Sequence, residues 1–174
     1  MEQAMQVHNI PPLYDADSKI LVLGSFPSIK SREAQFFYGH PQNRYWKVMP
    51  TLLGEPWPET VEEKAAMMYR HHIAMWDVIG SCSIAGSADT SIKDVVPNDL
   101  SVILQTAEIR AIFTNGAKST DLYRKHLYPV TGVPSIKVPS TSPANAAFSL
   151  ERLCTEWGKA LEPYLPLLEP LENN

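Results

Sequence analysis

Two cysteines in 174 residues, Cys82 and Cys154, are too few and too far apart for a disulfide framework or a cysteine-built zinc or iron–sulfur site, so both are expected as buried thiols. No apolar run approaches the roughly 18–20 residues that a membrane-spanning helix needs. Met1–Pro12 lacks the basic-then-apolar order of a secretion signal, and a cytoplasmic protein without membrane contact is the expectation. Basic side chains are outnumbered, 15 Lys and Arg against 19 Asp and Glu, for a formal net charge of −4. Broad electrostatic capture of polyanions is thereby disfavoured, although helix N-termini and a few cations can still make one face positive. Neither G-x-x-x-x-G-K-[ST] nor G-x-G-x-x-G follows the first apolar run, which removes the common phosphate-cradling nucleotide binders. Asp15, Asp17, Asp77, Asp89 and Asp94 are scattered, and the adjacent His71 and His72 diverge on any regular element, so neither a metal nor another cofactor is expected. Gly24-Ser25 and Cys82 do not sit in a nucleophile elbow.

The chain does have the length and the 44% hydrophobic content for one domain, residues 1–174, with one substantial core at about 19–161. Lys19–Gly24 reads as a buried parallel strand ended by glycine, Ile73–Ile79 as a second, Ile109–Thr114 as a third and Ser135–Val138 as a fourth. Helical spacing marks Asn43–Leu53, a stretch from the Thr60 cap to about Arg70, a short helix from Asn98, another over Ala117–His126, and a last one from Ser149 to about Leu161. Gly80–Ile92, rich in Ser, Gly and Ala, reads as a long loop, and the proline-bearing tail Glu162–Asn174 is expected to fray. Strands alternating with helices imply an α/β fold, a three-layer α/β/α sandwich around a mainly parallel four-stranded sheet. Its site belongs beyond the carboxyl ends of the strands.

Two segments at such ends carry a recognisable pattern. Gly24-Ser25-Phe26-Pro27-Ser28 leads through Phe36-Phe37-Tyr38 into Gly39-His40-Pro41-Gln42-Asn43-Arg44-Tyr45-Trp46, and Ser140-Thr141-Ser142-Pro143-Ala144-Asn145-Ala146 follows the fourth strand. Together they resemble the two motifs of the uracil-DNA glycosylase superfamily, over most of Lys19–Leu161. The match is closest to the hypoxanthine-DNA glycosylase (DNA-deoxyinosine glycosylase) branch, with segments similar to the mismatch-specific branch. Many relatives carry a polar, water-positioning residue where this chain has Phe26, which an aromatic ring cannot replace. In the hypoxanthine branch the Asn of the His-Pro-x-Asn-Arg segment is held to be essential, and here that residue is Asn43.

The resemblance implies a monofunctional glycosylase, acting as a monomer on DNA that contains a deaminated base. It would flip that base and hydrolyse its N-glycosidic bond in base excision repair. Such a bond breaks dissociatively, so the protein must position water and stabilise charge. Asn43 is the catalytic candidate, through its amide oxygen toward water or its NH₂ toward base or sugar; an Asn at that boundary also caps helices. Tyr38 is placed to stack on the flipped base, a contact of about 1–3 kcal/mol, with Phe37 as the alternative and a plain core aromatic as the structural reading. Gly24, Ser25 and Phe26 join them in the base pocket. His40 is a general acid or a hydrogen-bonded turn residue.

Asn115 either reads the base edge or forms a turn with Gly116. Ser140, Ser142, Pro143, Ala144 and Asn145 form the DNA-binding loop, a minor-groove wedge built on a turn. Two other readings stay open: a mismatch uracil or thymine glycosylase, and a catalytically silent member that only binds damaged DNA.

Overall fold

A computed structural model describes residues 4–84 and 92–171. The central sheet holds β2 (Ile20–Gly24), β3 (Ile73–Asp77), β6 (Ala111–Asn115) and β7 (Ser135–Val138) in the order β3-β2-β6-β7, every neighbouring pair parallel. Successive side chains of a strand point to opposite faces, and β2 buries all five residues. Ile20 and Val22 go to one core with Met75, Phe113 and Val138, under α2 (Tyr45–Leu53), α3 (Val61–Arg70) and α7 (Leu150–Leu161). Leu21 and Leu23 go to the other with Ala74 and Ile112, under α4 (Ser101–Leu104) and α5 (Ala117–His126). The α/β/α sandwich expected from the apolar runs is present, and among the described residues no helix is long and apolar enough to cross a membrane.

Local capping follows the residue types. Thr60 Oγ1 accepts from the Glu63 N–H at 3.1 Å to open α3, and Ser149 Oγ accepts from Arg152 N–H at 3.1 Å to open α7, each satisfying a backbone donor that the first helical turn leaves over. A short helix, α1 (Ile29–Ala34), is capped the same way by Ser28, and α6 (Tyr128–Thr131) fills the turn after α5.

Four expectations are corrected. Ile73–Ile79 is not one strand: after Asp77 the chain turns, with Val78 N–H donating to Gly24 O and Ile79 N–H to Ser25 O. It then continues as β4 (Ile79–Ile84), which pairs antiparallel with β1 (Ala4–Val7) and β5 (Lys93–Pro97) in a second, three-stranded sheet. Gly80–Ile92 is therefore partly strand, and residues 85–91 of that stretch lie outside the described residues. Cys82 is buried as expected, but Cys154 is only half-buried.

The fourth correction is the tail. Glu162–Leu168 forms a 3₁₀ helix (η1) that docks instead of fraying. Leu168 is 1% exposed, and its carbonyl meets His71 Nδ1 at 2.7 Å while the Glu169 carbonyl meets His72 Nε2 at 3.1 Å. His71 in turn contacts Glu55 at 2.5 Å, whose carboxyl is held below the usual carboxylate range, chiefly by its hydrogen bond to Arg70. A Leu168→Ala protein is expected to lose about 3 kcal/mol, roughly 6–12 °C in Tm. Leu167→Ala, at a position 37% exposed, serves as the control in the same melt and should cost little.

Candidate active site

The two motif segments meet at the carboxyl ends of the parallel strands and enclose a cavity of about 540 Å³, in the range of small-molecule sites. Its floor is made by three neighbouring strand ends. Gly24 closes β2, Asp77 pairs with it across β3, and Asn115 closes β6. Glycine is required in the middle: a Cβ on Gly24 would lie 2.5 Å from Asp77 Oδ1 and 3.3 Å from Tyr38 Oη. Ser25, Phe26, Phe37, Tyr38, His40 and Asn43 line the cavity from the first motif, and Ser140, Ser142, Pro143 and Ala144 from the second. Of the residues singled out in the sequence, all but Asn145 reach the cavity wall.

Tyr38 adopts φ +52°, a left-handed backbone that costs a non-glycine residue about 1 kcal/mol or more. One face of its ring stacks on buried Tyr45 at 4.5 Å and 28°, leaving the rest to the cavity. Its hydroxyl is buried with no hydrogen-bond partner of normal geometry. Burial first, and the nearby Asp77 charge second, push this phenol far above its ordinary range, so it stays protonated, with one hydrogen to donate and lone pairs to accept. Phe37 is 3% exposed and its carbonyl accepts from Trp46 Nε1 at 2.9 Å. Phe26 lies edge-on to His8 and under the Arg32 guanidinium.

Asn43 lies one residue before the N-cap position of α2, which Arg44 occupies without a side-chain cap bond, and faces the cavity. Its Oδ1 accepts from Tyr45 N–H at 3.0 Å, while its Nδ2 makes no hydrogen bond among the described residues. His40 Nδ1 accepts from Gln42 N–H at 3.0 Å, the turn arrangement, which leaves Nε2 as its remaining polar atom. Asn115 is neither a bare turn residue nor an unoccupied reader. Its Oδ1 accepts from Thr141 N–H at 3.1 Å and its Nδ2 donates to Thr141 Oγ1 at 3.0 Å, clamping the second motif to the end of β6. Gly116, at φ +96° with Ser140 Cβ 3.0 Å from where its own Cβ would be, lets that clamp close.

The second-motif loop is internally braced. Ser140 Oγ accepts from Ser142 N–H, Ser142 Oγ from Ala144 N–H, and Asn145 Nδ2 donates to Ser140 O, each at 3.0–3.1 Å. Asn145 thus spends its side chain inside the loop. Arg44 ties the whole to the first motif: its guanidinium donates to the carbonyls of Ser142 at 2.9 Å, Asn145 at 3.0 Å, and Phe148. Its backbone N–H also reaches Thr141 O at 3.0 Å.

Three residues escaped the sequence reading. Arg44 lay in the quoted motif with no role attached to it. Asp77 opens one of the regions that the strand-end rule points to, but the sequence attaches no role to its side chain beyond a rejected metal ligand. His8, whose Nε2 is 2.7 Å from Asp77 Oδ2, gave no signal. Among the described residues no group of three or more His, Cys, Asp or Glu side chains is placed to hold a metal ion.

No protein-family model matches the chain. It is 34% identical over 149 residues to a hypoxanthine DNA glycosylase of Methanosarcina acetivorans, covering 84% of this chain and 92% of that one. It is 29% identical over 160 residues to a hypoxanthine DNA glycosylase of Methanosarcina barkeri, covering 91% and 99%. An NMR solution structure of a proposed uracil DNA glycosylase from M. acetivorans superposes with a TM-score of 0.78 at 31% identity, over 94% of this chain and 99% of that one.

Proposed function

This chain belongs to the hypoxanthine DNA glycosylases of the uracil-DNA glycosylase superfamily, and from that premise we propose that it extrudes a deaminated base, hypoxanthine foremost, and hydrolyses its glycosidic bond. The observation that carries this reading is the convergence of both motif segments on one cavity sized for a base, with Asn43 in its wall. The flipped base lies against Tyr38, whose strained backbone and stacked partner hold the ring still. The braced Ser142–Asn145 loop fills the gap left in the duplex; being ordered before contact, it loses little freedom on insertion.

Asn43 supplies the charge-stabilising contact. With its Oδ1 engaged by the Tyr45 N–H, the NH₂ is the group left to donate to the base or sugar as the bond lengthens, in a site where fixed dipoles count for more than in water. Hydrolysis by this route leaves an abasic site, the entry to base excision repair. It needs no metal, since charge is met by amides and by the base's own delocalisation. The protein acts as a monomer on its DNA.

Defined duplexes carrying hypoxanthine, uracil, xanthine or thymine, incubated with the protein in the presence of a chelator, provide the test. Free hypoxanthine should appear fastest, with the strand intact until alkali or heat, and borohydride should trap no adduct. DNA binding with no base released would make the protein a silent binder, and preferential thymine or uracil release from mismatches would move it to the mismatch branch.

A further inference from the structure

We propose that Asp77, held by His8, is the hydrogen-bond acceptor that selects the lactam edge of a deaminated base; the inference rests on the base entering the cavity as described above. Parallel strands lie about 4.8 Å apart, so Asp77 and Asn115, on either side of Gly24, flank a gap of two strand spacings to which Gly24 adds no side chain and into which the Tyr38 hydroxyl reaches. Asp77 leans across this gap, its Oδ1 reaching the space that a Gly24 side chain would fill. The residue is only 4% exposed, yet Oδ1 makes no hydrogen bond among the described residues. Asp77 lines the cavity, which is where a donor to this oxygen can arrive.

The opposite oxygen fixes the carboxylate. Oδ2 takes a hydrogen bond from His8 Nε2 at 2.7 Å, while His8 Nδ1 accepts from Ile10 N–H at 3.2 Å. A neutral imidazole with Nδ1 accepting carries its proton on Nε2. His8 is therefore a donor to Asp77, and Asp77 meets the cavity as an acceptor.

Asn115 alone does not supply that acceptor, because its oxygen is engaged by the Thr141 N–H. Its NH₂ has given one hydrogen to Thr141 Oγ1, and the second lies toward the Tyr38 hydroxyl, so the donor on this side of the floor is shared between Asn115 and Tyr38. The floor thus offers a donor from β6 and an acceptor from β3. Hypoxanthine, xanthine and uracil share a C=O beside a ring N–H, which that pair matches. Adenine and cytosine present an amino group beside a ring nitrogen lone pair, which faces the carboxylate with repulsion. Asp77 is a specificity-determining residue and His8 a positioning residue behind it.

The full chain and its Asp77→Asn, His8→Ala and His8→Gln variants are compared in two measurements. First, binding is measured to oligonucleotides holding non-cleavable 2′-fluoroarabino analogues of deoxyinosine or deoxyadenosine at one position. Wild type should prefer inosine, and Asp77→Asn should shrink that preference by about thirtyfold. His8→Ala should shrink it severalfold, and His8→Gln, which restores an N–H donor, should recover it. Second, single-turnover release is measured for hypoxanthine and for unsubstituted purine, which has no ring N–H. Asp77→Asn should slow only the former. A preference absent in wild type or untouched by Asp77→Asn, or equal slowing on both bases, overturns the assignment. An Asp77-dependent preference for inosine in a protein that releases no base would instead sustain it while refuting the glycosylase reading.

Discussion

An Asn43→Ala protein is expected to release base at least about a hundred times more slowly than wild type in single turnover, the scale seen when a preorganised transition-state donor is removed. Its fold should survive. The side chain's structural task is one hydrogen bond to the Tyr45 N–H at the start of α2, and losing one such bond costs about 1 kcal/mol. Asn43→Asp separates the two tasks further, because a carboxylate keeps that acceptor and has no NH₂. If the amide oxygen served to orient water, Asp would do so as well or better and the rate would hold. If the NH₂ is the working group, Asn43→Asp should be as stable as wild type and as slow as the alanine variant. Near-normal release by folded Asn43→Ala would remove the residue from the mechanism.

The second large effect is expected at Arg44. Methionine there keeps the stem and removes every donor to the carbonyls of Ser142, Asn145 and Phe148. Hydrogen bonds from a charged group contribute about 1.5–3 kcal/mol each. Relief from burying the cation offsets part of their sum, so a stability loss of about 3 kcal/mol is the expected outcome of chemical denaturation. Activity should fall roughly a hundredfold, since displacement of positioning groups by about an ångström is enough for that. The loss should be greater on a well-paired duplex than on single-stranded DNA, where little stacking has to be undone. Faster amide exchange confined to residues 140–148 would accompany it. Equal rates for wild type and Arg44→Met would mean that the loop keeps its place without this tie.

The central sheet was legible because β2, β3, β6 and β7 are covered on both faces, and such strands write themselves as apolar runs. The second sheet has no such script. β4 is built of Gly80, Ser81, Cys82 and Ser83, while β1 leaves Met5 56% and Val7 67% exposed, so neither shows an alternation to detect. The tail misled through its prolines, which a 3₁₀ turn accommodates, and through two anchors, Leu168 in the core and Tyr164 edge-on to Phe113, that no periodicity announces. At the site, the wall was readable because both motifs are contiguous in sequence. Its floor was not: the Asp77–His8 contact joins residues 69 apart and the Asn115–Thr141 clamp joins residues 26 apart. Side chains in such pairs acquire their meaning only once the strands stand next to each other.

β3 is an edge strand, paired with β2 on one side only. An uncovered edge is a template on which another chain can add a strand. Here the open side is closed by Leu13, which exchanges two backbone hydrogen bonds with Met75 at 2.9 and 3.0 Å. One end of the strand is held by His8 on Asp77, and the approach to the other by the Leu168 and Glu169 carbonyls on His71 and His72. The latter grip is formed by residues that the ribosome adds 97 positions after their partners. Protection of this edge against self-association therefore matures in two instalments, an early one at the site end and a late one at the far end.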